Sequence, residues 1–184
     1  MKQLKLIFFS LLIPFLGFAD QIELPLESNW QFKQSNKNEW LPAKVPGTVH
    51  TDLLDNGIIE DPYYRMNEKK QQWIEKEDWE YKSSFNVNSD VITKDKIILD
   101  FCGLDTYADV YLNDSLILEA NNMFRSWQVD VEGIVELGEN ELRIYFHSPI
   151  KKTETIYDNL GYTIPVSSND QADKKLSVFS RKAP

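Results

Sequence analysis

Between Asp61 and Trp79 the sequence gathers side chains of the types that could hold a sugar. Tyr63, Tyr64, Trp73 and Trp79 offer flat faces that match the C–H surface of a pyranose ring. Asp61, Arg65, Asn67 and Glu68 offer charged and amide groups for its hydroxyls. Trp79 and Tyr81 alternate into a predicted strand, so core packing is the expectation for both. Arg65, Asn67 and Trp73 remain as candidates for the wall of a substrate-binding pocket.

Cleaving a glycosidic bond takes two carboxyl groups on either side of it, about 5–5.5 Å apart for retention and farther apart for inversion. Glu75, Glu77 and Asp78 cluster in a polar loop and read as a solvated face. Asp105 and Asp109 flank the start of a strand, and Asp105 follows Gly103-Leu104, where a short acid bonds its own turn. No catalytic residue is assigned. His50 and His147 are the only histidines and lie far apart, with no ligand spacing around them, so no metal site is expected. No G-x-S-x-G turn or glycine-rich loop suggests a serine nucleophile, a phosphate cradle or a cofactor. Cys102 is alone, between Phe101 and Gly103 in an apolar strand, and is expected to be a buried, inert thiol. One Asn-X-Ser triplet, Asn113-Asp114-Ser115, falls in a predicted exposed hairpin turn and reads as turn chemistry rather than a glycosylation site.

The elements that must position these groups are mostly strands. Period-two alternation runs through Ile22–Leu24, Trp30–Phe32, Tyr81–Val87, Ile97–Cys102, Tyr107–Leu112, Trp127–Val131 and Leu142–His147. Leu142, Ile144 and Phe146 face inward if Arg143, Tyr145 and His147 face out. Turn signals separate the runs at Gly103-Leu104-Asp105, Asn113-Asp114-Ser115 and Gly138-Glu139-Asn140. Pro46-Gly47 makes a tight turn, and Thr48 caps a short helix over Val49–Asp55 that stops at Asn56-Gly57. Further helix is confined to a turn near Glu68–Trp73 and to Lys151–Asn159. The pattern predicts an all-β fold, a two-sheet jelly-roll-like β-sandwich with one short helix.

Residues 1–19 read as a signal peptide. Lys2 and Lys5 precede an apolar run from Leu6 to Phe18, and Gly17-Phe18-Ala19 supplies small residues for cleavage. The run is shorter than the ~20 residues of a membrane span, and no cysteine sits at the cleavage point for a lipid. The expectation is a secreted or periplasmic protein with no membrane anchor. A sandwich domain then occupies residues 20–165, and residues 166–184 form a polar loop followed by the start of a strand at Leu176–Phe179. The chain has 184 residues, too few for a (β/α)₈ barrel of about 250. Its net charge is −9, and −11 without Lys2 and Lys5. Such acidity repels phosphate backbones, so nucleic acid is not an expected partner.

Several motifs carry a resemblance. PGTVHTDLL (46–54), DPYY (61–64), QWIEKEDWEY (72–81), LDFCGLDTYADVYLND (99–114), NMFRSWQVDV (122–131) and GENELRIYFHSP (138–149) occur in this order. Together they resemble the N-terminal domain of β-mannosidase-type enzymes of glycoside hydrolase family 2, over roughly Leu24 to the C-terminus. Asp114 departs from the family, which usually has glycine there, but Asn-Asp can still make the turn. The resemblance implies a galactose-binding-domain-like sandwich from a secreted, retaining exo-hydrolase that releases terminal β-D-mannose. The acid/base and nucleophile glutamates of such enzymes belong to a barrel domain, with no matching positions in this chain. Arg181–Pro184 resembles the lead-in to the family's Gly-Trp-Asp-Trp-Gly segment, so truncation before the barrel is expected. The expected partners are that catalytic barrel and a manno-oligosaccharide or other glycan. The alternatives are a free-standing carbohydrate-binding module and a purely structural domain.

Overall fold

A computed structural model describes residues 21–162. The signal-peptide reading of residues 1–19, the domain boundary at 165, the polar loop and the Leu176–Phe179 strand lie outside the described residues.

Among the described residues, eight strands form two antiparallel sheets. They are β1 (Gln31–Gln34), β2 (Leu41–Pro42), β3 (Trp79–Val87), β4 (Ile98–Phe101), β5 (Tyr107–Leu112), β6 (Ser115–Ala120), β7 (Trp127–Asp130) and β8 (Gly138–His147). The larger sheet runs β2-β1-β3-β8-β5-β6, and β4 pairs with β7 in the smaller one. The helices are α1 (Val49–Asp55), α2 (Asn67–Lys70), α3 (Ser89–Ile92) and α4 (Pro149–Asp158), with a 3-10 turn at Ile74–Lys76. This is the all-β, jelly-roll-like sandwich that the alternation predicts.

The centre of the large sheet is the long β3–β8 pair, in register from Trp79↔Phe146 to Val87↔Gly138. Alternate residues enter the core as expected: Trp79, Tyr81 and Ser83 from β3, Leu142 and Ile144 from β8, and Ala108, Val110 and Leu112 from β5. Phe32 of β1 is fully buried, and its ring lies 6.0 Å from Trp79 and 5.6 Å from Tyr81. Phe101 and Leu99 of β4, with Trp127 and Val129 of β7, close the same core from the other side. Full burial of a side chain like Phe32 contributes about 1.5–3 kcal/mol. A smaller cluster, Val87, Leu112, Val131 and Val135, seals one end of the sandwich.

The outer face of the large sheet is polar and laced across strands. Lys33 of β1 meets Glu80 of β3 at 2.9 Å, and Arg143 of β8 meets the same carboxylate at 3.5 Å. The Arg143 guanidinium lies 4.1 Å from the Tyr111 ring centre on β5. Lys33 and Lys82 both approach the ring of Trp40, at 5.1 and 4.7 Å. Cross-strand pairs of this kind tie neighbouring strands together.

Helix α1 starts and stops as its sequence dictates. Thr48 accepts from the Thr51 N–H while Thr51 closes the capping box back to the Thr48 backbone. Asn56 caps the far end, and Gly57 takes the left-handed conformation (φ 69°). At Gly47 a Cβ would overlap the carbonyl oxygen of Lys44, so the turn accepts only glycine.

Four local expectations differ. Ile22–Leu24 forms no strand; these residues are exposed, with no ladder partner among the described residues. Gly138–Asn140 opens β8 instead of forming the turn, and the turn falls just before it, with Gly138 at φ 97°. Helix α3 was not signalled, because four residues are too few to show a period; Asn88 caps it by accepting from the Asp90 and Val91 N–H groups. Cys102 is exposed rather than buried, since it follows the last residue of β4 and points opposite to Phe101.

Candidate functional site

The loop from Glu60 to Asp78 is an arm clamped at its base and open at its tip. Asp61 accepts from the Tyr63 N–H and turns the chain after Pro62. Asn67, 6% exposed, donates from Nδ2 to the Asp61 carbonyl at 3.0 Å. Gln71 donates to the Glu60 carbonyl at 2.6 Å. Its Oε1 has no hydrogen-bond partner among the described residues, leaving one buried acceptor at the foot of the arm. Below it, Trp73 tilts against Trp79 at 6.0 Å, and the Trp79 indole donates to the Ile74 carbonyl.

The tip presents apolar surface. Tyr63 is 96% exposed, Tyr64 57% and Met66 54%. Arg65 takes a left-handed backbone (φ 56°) and lays its guanidinium 5.0 Å from the centre of the Tyr64 ring. Leu54 and Ile58, at the end of α1 and just beyond it, are exposed as well. The three pocket-wall candidates thus part company in the fold. Arg65 stands in solvent at the tip, Asn67 is buried as a clamp, and Trp73 is half-buried against the core.

The carboxylates serve as fasteners. Asp78 receives the Ser148 N–H at 2.6 Å, the Tyr145 hydroxyl at 3.2 Å and the Lys151 ammonium at 3.3 Å. It is therefore no solvated acid, as its place in a polar run suggests; the donors come from β8 and α4, some seventy positions away. Burial opposes its charge, but the Ser148 amide and the Lys151 and Tyr145 bonds hold its carboxyl below the usual range. Ser148 also donates from Oγ to the Glu75 carbonyl and caps α4 by accepting from the Lys151 N–H. These bonds fix the arm's return to β3 against the end of β8.

Asp109 on β5 meets Nε2 of His147 on β8 at 2.8 Å, and the His147 ring lies edge-on to Tyr145 at 4.8 Å. Sequence reasoning gave His147 its outward direction and missed this partner, because the β5–β8 register is not written in either strand alone. The Asn113 side chain is likewise spent. It donates to the Asn140 Oδ1 at 2.8 Å and to the Ile134 carbonyl, and accepts from the Glu141 N–H. The triplet therefore acts as turn chemistry, with Asn113 and Asp114 both left-handed at φ 48° and 62°. Among the described residues no group of three His, Cys, Asp or Glu side chains could hold a metal ion.

Comparison with known proteins agrees with this geometry. Residues 30–184 match the family model described as the glycosyl hydrolase 2 galactose-binding domain-like domain. The chain is 39% identical over 135 residues to a β-mannosidase of Bos taurus, covering 73% of this chain and 15% of that protein. It is 38% identical over 133 residues to β-mannosidase B of Thermothelomyces thermophilus, covering 71% and 15%. The crystal structure of a β-D-mannosidase from Dictyoglomus thermophilum superposes with TM-score 0.74 at 42% identity, over 76% of this chain and 17% of that one. The Amycolatopsis orientalis exo-chitosanase CsxA shares the fold, with TM-score 0.59 and 22% identity over 68% of this chain and 16% of the other. The chain thus spans about 15% of the length of the relatives it matches.

Proposed function

The chain belongs to the glycosyl hydrolase 2 galactose-binding domain-like family, and from that premise we propose that it is the non-catalytic N-terminal portion of an exported enzyme that removes terminal β-D-mannose. The parent reaction would be retaining, with a covalent glycosyl intermediate formed on a barrel domain. Export is supported by the charged and apolar pattern of residues 1–19.

The observation that carries the reading is the aromatic arm. Tyr63, Tyr64 and Met66 are held out into solvent by a base that is hydrogen-bonded and packed. A protein does not stiffen a loop to display apolar side chains to water; exposed apolar side chains held in this way suit a contact with another body. The barrel of the parent enzyme fits that role. The carboxylates support the same division of labour, because Asp52, Asp78 and Asp109 are committed to hydrogen bonds within the domain.

Hydrolysis of an aryl β-mannoside tests the proposal. The 184-residue chain is expected to give no turnover, and the coding frame read onward is expected to supply the barrel. In that longer protein, Tyr63→Ala with Tyr64→Ala should loosen the domain contact and lower the temperature of activity loss. Turnover by the 184-residue chain itself would overturn the proposal.

A further inference from the structure

Strand β1 leaves β3 early. Their pairing ends at Gln31↔Lys82, whereas β3 continues to Val87. Asn29, left-handed at φ 61°, turns the incoming chain away from the sheet at this point. Among the described residues, the second half of β3 therefore has a strand neighbour on one side only, β8. A groove of about 380 Å³ opens along it, lined by Asn29, Gln31, Lys82, Ser84, Asn86 and Glu139. A hollow of about 280 Å³ shares Asn29, Ser84 and Asn86 with it and adds Leu24, Pro25 and Phe85, so the groove runs from a polar end to an apolar one.

We infer that this groove binds a neutral oligosaccharide, at a site separate from the aromatic arm. Its outward-facing groups are amides and a hydroxyl, which both donate and accept, as sugar hydroxyls require. The side chains of Gln31, Ser84 and Asn86 have no partner among the described residues, so their hydrogen-bonding capacity is unspent. Lys82 is already committed to the Trp40 ring and to Glu141 at 3.6 Å, which leaves no free cation to draw an anionic ligand. Leu24 and Pro25, both exposed, give the C–H face of a sugar ring an apolar surface. A peptide strand suits the groove less well. The edge of β3 that it would need is shadowed by the Leu24–Asn29 segment, where the Ser28 carbonyl already accepts the Ser83 hydroxyl.

Mannose as the first sugar to try rests on the proposed function; the groove itself does not. The test is a titration of the full chain with manno-, gluco- and xylo-oligosaccharides, read by amide NMR shifts. Saturable shifts are expected at Gln31, Ser84 and Asn86. Gln31→Ala and Asn86→Ala should each weaken binding about 5–10-fold, the worth of a hydrogen bond or two to a neutral group, while Tyr64→Ala should leave it unchanged. Binding at the groove by gluco- or xylo- but not manno-oligosaccharides would uphold the site and count against the mannosidase reading. The site is overturned if no sugar gives a saturable shift at millimolar concentration, or if the shifts fall on residues 61–73. It is equally overturned if neither substitution weakens binding, or if an extended peptide occupies the groove in preference to every sugar.

Discussion

The Tyr81 hydroxyl donates to Oδ2 of Asp52 across 2.8 Å, inside a core where Asp52 is 1% exposed. The other oxygen of the same carboxylate accepts the Lys44 N–H at 2.9 Å. One acid thus joins helix α1 to the central strand β3 and to the approach of the Pro46-Gly47 turn. Burial pushes the Asp52 carboxyl up against the pull of these two donors, and Asp55 adds to the rise. Burial and the neighbouring acid push the Tyr81 phenol up as well. Tyr81→Phe removes the hydroxyl and leaves a buried acceptor bare, at a cost of about 1–3 kcal/mol. Urea unfolding should show a lower midpoint at an unchanged slope. An unchanged midpoint would mean that the bond contributes nothing net.

Asp52 and Asp78 should carry opposite signs in the pH dependence of stability. The folded state lowers the Asp78 pKa, so it binds that proton more weakly than the unfolded chain does. Its stabilisation is complete above the unfolded value, about 3.9, and is lost as pH falls through the folded pKa. Asp52 is raised, so its folded form favours the proton, and stability declines as pH climbs from about 3.9 through its folded value. Asp78→Asn should therefore flatten the acid side of the stability profile. Asp52→Asn should remove the decline above it. Unfolding curves collected from acid to neutral pH decide this, and profiles parallel to that of the parent chain would refute both assignments.

Asn140 is the densest polar junction of the smaller core end. Its Oδ1 accepts from the Glu136 N–H and from Asn113 Nδ2, and its own Nδ2 donates to the Glu136 and Gly138 carbonyls, all between 2.8 and 3.0 Å. Asn140→Ala strands several buried groups at once and should cost about 2–4 kcal/mol. Asn140→Asp should also destabilise, since the carboxylate cannot donate to two carbonyls. Thermal melts of the two variants compare directly. Equal melting temperatures for Asn140→Asp and the parent would contradict the donor roles given to Nδ2.

Gly47 tests the turn before α1. Its substitution by alanine forces Cβ into the Lys44 carbonyl, which belongs to backbone and cannot rotate away. Overpacking of this kind costs about 1–3 kcal/mol. The local response should be faster amide exchange across Lys44–Leu53, including the Lys44 N–H that bonds Asp52. Exchange unchanged in that segment would show that the turn has room to spare.

Much of the fold was legible because side chains obey one period on β3, β5 and β8. Tyr107–Leu112 and Leu142–His147 point as their alternation says, since each strand has one buried face and a slip of one residue would invert it. Helix α1 was legible through its ends, Thr48 and Asn56-Gly57. The candidate site was legible in composition only. Arg65, Asn67 and Trp73 share a sugar-binding vocabulary, yet their exposure depends on which of them the loop folds under itself. That is decided by the Asn67 bond to Asp61 and the Trp73 contact with Trp79, neither of which has a periodic signature. Asp78 was misread for the related reason that its donors come from β8 and α4.

The bond from Ser148 to Asp78 joins residues 70 positions apart, and β3 finds its longest partner only in β8. That separation sets an order of events during synthesis. On the ribosome, β1 and β3 can pair as soon as both emerge, but the middle of the sheet stays open until residue 147 has left the exit tunnel. Until then the inner faces of Trp79 and Tyr81 lack Ile144 and Phe146, and the nascent chain shows apolar surface that the finished domain hides. A domain wired in this way closes late and then all at once, as its last central strand slides between two that are already waiting.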